Sequence, residues 1–262
     1  MNGEIEQLSK IVCSARKAMY ENKEITFSPS KYVRSIRFVF ASPFRFLSNA
    51  EADSVQKWFH LCQKRGLREV RLILPTATEQ KHLLGFANTS RGAIVCRWKN
   101  GKISCFTPTW IVDKQQNGWM VVYKERRSAA AQLTDVTRAN KTDEFKEVLL
   151  EIGAFSLEIG FPYFSEVFQK AYNALNDATK IDASAVPNEL PDELKGIYYA
   201  VQIADVFGAM GSWNDSPPCY ADQMGLGHRY NQLSSRLLYQ LRYHLMHVIN
   251  HCWETCEGNP RS

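Results

Sequence analysis

Three of the chain's six histidines, His244, His247 and His251, recur at spacings of three and four residues near its end. In a helix, positions four apart share a side, so His247 and His251 could reach one metal ion, with His244 joining from the preceding turn. Further ligands would have to come from elsewhere, and His228, Asp215 and Cys219 are nearest in sequence. The chain has no H-E-x-x-H and no paired C-x-x-C, the spacings that mark common zinc sites. Leu237, Leu241, Leu245, Val248, Ile249, Cys252 and Cys256 form one apolar stripe on a helix expected over Arg229 to Cys256. The two cysteines therefore read as packing. The histidines fall at the stripe's edge beside Gln240 and are expected to be half-buried and hydrogen-bonded.

The same helix carries Arg242 and His247 with four residues between them. This resembles the R-x(4–6)-H motif of HEPN-domain ribonucleases, which are also four-helix bundles. The resemblance covers residues 143–256 and implies that Arg242 and His247 act together on an RNA phosphodiester. On a regular helix the two side chains project roughly 140° apart. Asp205 is expected within a helix over 191–208, on the apolar face of Leu194, Tyr198 and Val201. A carboxylate there needs a partner: Arg242, a histidine of the last helix, or amides of the 211–216 loop. It would pin that loop in place or orient a histidine as half of an Asp–His pair. In the loop, Asn214 and Asp215 are set up for Asx turns. Trp213 would either fold back over the helices or join them in a binding loop.

Charge is unevenly divided. Residues 1–150 hold 25 Lys and Arg against 14 Asp and Glu, and residues 151–262 hold 7 against 13, which together give the net +5. Basic residues of the first half, including Arg34, Arg37, Arg45, Arg97 and Lys99, are interleaved with Tyr32, Phe38, Phe44, Phe46 and Trp98. Such a surface attracts an acidic partner. The leading expectation is a non-enzymatic interaction protein that presents this basic surface to an acidic protein, compatible with a bacterial accessory, toxin-neutralising or defence role. Nucleic acid is the alternative, since cations with aromatics serve phosphate contact and base stacking, and HEPN-like cleavage would be its enzymatic form. A metal-binding helical domain is the third reading. No RRM, KH, zinc-finger or helix-turn-helix pattern occurs. There is also no P-loop, no dinucleotide fingerprint and no G-x-S-x-G, so no cofactor is expected.

Seven cysteines without an export-type leader read as thiols in a reducing, cytoplasmic setting. No apolar run approaches the ~18 residues of a membrane span, and no membrane partner is expected. The elements expected to carry these residues begin with a helix over 4–21 and strands at Tyr32–Ala41, ended by Pro43, and Glu69–Leu74. A helix over 50–65, capped by Ser48 or Asn49, lies between the strands. A short helix near Glu79–Phe86 and a four-stranded meander over 92–125 follow. Asn100-Gly101 and Asn117-Gly118 read as two-residue turns, which would set Cys96 opposite Cys105. From Ser128, where a short helix and linker are expected, the periodicity turns helical. The expected class is α+β: an N-terminal helix and antiparallel meander over 1–127, then a C-terminal four-helix bundle over 128–262.

Overall fold

Strand β4 (Ala93–Trp98) turns into β5 (Ile103–Asp113) through Lys99, Asn100 and Gly101. The Gly101 amide donates to the Trp98 carbonyl at 2.9 Å, and the Trp98 amide donates to the Lys102 carbonyl at 3.0 Å. Gly101 sits at φ +75°. This is a three-residue loop closed by a left-handed glycine, not the expected two-residue turn. One extra loop residue slips the register by one and reverses the facing of β5. Cys96 therefore pairs with Ser104 and Cys105 with Val95, which removes the expected Cys96–Cys105 apposition.

The computed structural model describes residues 2–41, 50–76, 92–114, 117–127, 137, 139, 141–208 and 210–253. Among them are seven α-helices and a six-stranded mixed sheet. The protein is thus of mixed α and β class. The caps expected at Ser48 and Asn49, the helix near Glu79–Phe86, most of the linker after Ser128, and Pro43, Phe44, Arg45, Phe46 and Cys256 lie outside the described residues.

The chain divides into two compact units, one of Gly3–Leu74, Arg91–Thr134 and Ile249 onward, the other mainly Asp135–Val248. The last turn of the final helix counts with the sheet.

In the sheet unit the strand order is β2-β1-β6-β5-β4-β3, formed by β1 (Val33–Val39), β2 (Glu51–Ala52), β3 (Leu67–Ile73), β4, β5 and β6 (Gly118–Arg127). β3 to β6 form an antiparallel meander, but β1 lies parallel to β6. β5 is one long strand where two were expected. Pro108 is tolerated within it because the register with β4 ends at Phe106, so no partner on that side needs its missing amide. The second turn also differs: Gly118 pairs with Asp113, leaving a longer loop in which Asn117 takes φ 46°. Helices α1 (Gly3–Glu21) and α2 (Val55–Lys64) belong to this unit. α2 starts later than expected because Glu51 and Ala52 pair with β1, and Ser54 accepts from the Lys57 amide at 3.2 Å as its cap.

The other unit holds α3 (Thr142–Glu158), α4 (Pro162–Asn176), α5 (Asp192–Ala204), α6 (Pro217–Gln223) and most of α7 (Gly227–His251). Pro162 stands in the first turn of α4, where a proline costs no hydrogen bond. Arg229 and Arg236 of α7 pair with Glu158 and Glu151 of α3 at 2.6 and 2.5 Å. α6 occupies what reads in sequence as a long loop. From Ser235 on, no residue of α7 is fully exposed, so the helix is buried nearly all round rather than along one stripe.

Candidate functional site

Cross-strand neighbours share a face of a sheet, so the register assigns the two faces. On one face lie Phe38 with Tyr123, then Phe106 with Ile94 and Leu72, then Ser104 with Cys96 and Val70. This face is the unit's core, since Phe38, Phe106, Tyr123, Cys96 and Val70 are all fully buried. Trp58 of α2 stacks on Phe38 at 4.8 Å, and Tyr123 stacks on its other side at 4.7 Å. Burial pushes the Tyr123 phenol up.

The other face carries the charge. Arg37 neighbours Val122 and Thr109; Val39 neighbours Glu51, Lys124 and Thr107; Arg126 neighbours Cys105, Val95 and Arg71; Ile103 neighbours Arg97 and Glu69. Five cations thus stand against three carboxylates, Glu51, Glu69 and Asp113 at the far end of β5. Arg37 is 52% exposed and meets Glu51 at 3.7 Å; Arg97, 44% exposed, meets Glu69 at 3.2 Å. Arg71 also pairs with Glu69. Lys124 and Arg126 are exposed and make no ion pair among the described residues. Between the cations are half-exposed Val39, Thr107, Val122, Ile103 and Cys105.

The other expected basic residues lie at the sheet's ends. Arg34 occupies the irregularity between Val33 and Ser35 and donates to the Asn117 carbonyl at 3.2 Å. Lys99 lies in the β4–β5 loop. Its amide bonds Gly66 at 2.8 Å, and its aliphatic stem covers Gly66 so closely that a Cβ there would lie 3.0 Å from it.

Sequence alone missed Glu125. In Lys124-Glu125-Arg126 it resembles part of a solvated charge run, yet its side chain is 5% exposed. One carboxylate oxygen accepts from the Ala41 amide at 2.8 Å and from Arg65 at 3.0 Å; the other accepts from Ser104 Oγ at 2.8 Å. Ser104 in turn accepts from Trp98 Nε1 at 3.1 Å. The signal that could have found Glu125 is its alternation with Val121 and Tyr123 on the inward face.

The histidines of α7 do not converge. His244 is 1% exposed, not at a boundary, and its ring stacks on Phe145 of α3 at 4.8 Å. Its Nδ1 lies 2.8 Å from the Gln240 carbonyl. Desolvation is the main reason its pKa falls to about 4, with the contact to Gln240 opposing, so it is neutral near pH 7. His247 Nδ1 lies 2.7 Å from the Thr137 carbonyl. His251 is half-buried in the helix's last turn. Among the described residues, no group of three or more His, Cys, Asp or Glu side chains could hold a metal ion. Arg242 is half-buried on the same helix.

Asp205 is not inside a helix. α5 ends at Ala204, and Asp205 is its C-cap at φ −77° and ψ 74°, half-buried, so the helical angle that set it among Leu194, Tyr198 and Val201 does not apply. It lines an open cleft with Tyr163, Glu166, Lys170 and Ser212. The following loop is built on its own side chains. Asn214 Oδ1 accepts from the Gly208 amide at 2.9 Å and from Ser212 Oγ at 2.7 Å, and Asp215 accepts from the Gly211 amide at 2.8 Å. Trp213 is fully buried. It donates to Ser234 Oγ at 2.8 Å and packs among Phe164, Phe168 and Tyr230 at ring distances of 5.1–5.7 Å. The loop's aromatic thus belongs to the helical core and is not available as an exposed recognition residue.

No helix among the described residues is long and apolar enough to cross a membrane. The chain matches no known protein family, no curated protein and no solved structure.

Proposed function

We propose that the protein is a non-enzymatic interaction protein whose exposed sheet face docks an acidic protein partner. The observation that carries this reading is the alignment of Arg37, Lys124, Arg126, Arg97 and Arg71 on one face, where three carboxylates, Glu51, Glu69 and Asp113, stand against five cations. Cations spaced along neighbouring strands offer several simultaneous contacts to carboxylates, and complementary charge speeds association and rejects basic competitors. The β-branched residues between them supply the apolar part of such an interface. Nucleic acid is favoured less, because single-strand binding needs rings to stack on. Phe38, Phe106, Tyr123 and Trp58 are all buried on the opposite face, and the exposed ring of Tyr32 belongs to the turn before β1. Neutralising an acidic toxin, or a defence role in a bacterium, would use the same surface.

The fold reading that accompanies this proposal is a four-helix bundle of α3, α4, α5 and α7. The α3–α7 ion pairs and the His244–Phe145 stack support it.

Affinity capture from the native host tests the proposal, run in parallel with wild type and the triple variant R37E/K124E/R126E. A captured acidic protein that elutes with salt and is missing from the variant's eluate is the expected result. Equal capture by both proteins would refute the assignment to this face.

A further inference from the structure

The thiols of Cys13 on α1 and Cys252, just past the end of α7, lie 3.6 Å apart, sulfur to sulfur, although 239 positions separate them in the chain. Both belong to the sheet unit and both are buried. The surrounding contacts hold the chain's two ends together. Arg16 donates to the Trp253 carbonyl at 3.1 Å and to the Val70 carbonyl at 3.2 Å. The Asn250 side chain accepts from the Leu72 amide at 2.7 Å and donates to the Leu72 carbonyl at 3.0 Å, satisfying both outward groups of Leu72 on the edge strand. The Trp253 ring lies 5.4 Å from that of Tyr20.

We propose that Cys13 and Cys252 form a redox-modification site, a dithiol that a peroxide converts to a disulfide fastening the end of α7 to α1. The Cys252 thiolate attacks one peroxide oxygen; an S–O bond forms, the O–O bond breaks, and hydroxide leaves to become water. Cys13 sulfur then attacks the Cys252 sulfenic sulfur; the S–S bond forms, the S–O bond breaks, and a second water carries off the Cys13 proton. Two thiols and one hydrogen peroxide give one disulfide and two waters, so the two electrons lost by sulfur reduce the peroxide.

Cys252, whose thiol also reaches the Ile249 carbonyl at 3.2 Å, is the attacking sulfur because its contact with Cys13 and the positive charge of Arg16 together hold its pKa below the usual thiol range despite burial. The second buried pair, Cys62 and Cys96, is an internal control: burial pushes the Cys62 thiol well up, with the hydrogen bond and charge of Cys96 adding to it. Hydrogen peroxide is close to water in size, which suits a buried target.

The test treats the reduced full chain with hydrogen peroxide, alkylates the remaining thiols and maps the peptides by mass spectrometry. A Cys13–Cys252 crosslink, removed by dithiothreitol and formed before any change at Cys62 or Cys96, is expected. Failure to form it, or a Cys62–Cys96 bridge forming first, would overturn the proposal. In Cys13→Ser a sulfenic acid trappable by dimedone should accumulate at Cys252. In Cys252→Ser, Cys13 should stay reduced, and its oxidation at the wild-type rate would refute the assigned direction of attack. Should either variant fail to fold, the wild-type map alone decides.

Discussion

His244 shows how far a residue's neighbours can change its chemistry. Its spacing from His247 and His251 reads as a ligand set, yet its ring lies between Phe145 and the turn before it and stays neutral. The unfolded chain takes up a proton near pH 6.5, whereas the folded protein resists until about pH 4. Stability should therefore fall as pH drops through this window, by about 3 kcal/mol if no other group compensates. His244→Leu should flatten the fall between pH 6.5 and 5 in urea titrations, and an unchanged slope would contradict the depressed pKa. Glu125 makes the opposite case, a charge that looks solvated and is buried. Glu125→Gln keeps the shape but removes the charge facing Arg65 and turns one of the two acceptor oxygens into a donor. Ala41 and Arg65 on one side or Ser104 on the other then lose their acceptor, and the change should cost about 2–3 kcal/mol in chemical unfolding. Neither environment was legible locally, because both are assembled by residues distant in sequence. The contacts of Glu125 come from positions 41, 65 and 104.

At the scale of elements, most helices and strands were legible, and the joints between them were not. Alternation placed β1, β3 and β4, and helical spacing placed α1, α3, α4 and α5. Asn100-Gly101 identified a turn, but its length depends on which residue takes the left-handed conformation, and here it is Gly101 alone. That single residue decided which side of β5 faces inward and thereby parted Cys96 from Cys105. α7 was visible as a helix, but its burial all round was hidden because Gln240, His244 and Asn250 are polar residues that packed neighbours bury. Asn250 should matter most at the edge of the sheet. Asn250→Ala leaves the outward amide and carbonyl of Leu72 unsatisfied, so hydrogen exchange at the Leu72 amide should accelerate at least tenfold relative to Val70, an effect of about 1.4 kcal/mol or more. Equal protection in both proteins would show that the edge is held some other way.

For the whole molecule, composition already contained the contrast between a basic first half and an acidic second half. The structure adds direction: Phe38, Phe106 and Tyr123 turn inward and five cations turn outward on one sheet face, while Tyr32, ahead of β1, stays exposed. Sequence could not separate these, since period-two alternation does not say which side is covered. The parallel pairing of β1 with β6 was equally hidden, because it joins strands about 85 residues apart. Docking by charge sets a salt dependence, as exposed pairs are screened within about 8 Å at physiological ionic strength.

Calorimetric titration with poly-glutamate, at about 50 and about 200 mM salt, tests the docking claim most directly. Wild type should bind, and more weakly at the higher salt. R37E/K124E/R126E, with an unchanged circular dichroism spectrum, should lose at least about tenfold in affinity. Undiminished binding by the variant, or tighter binding of a single-stranded oligonucleotide of equal charge, would contradict an acidic-protein docking face.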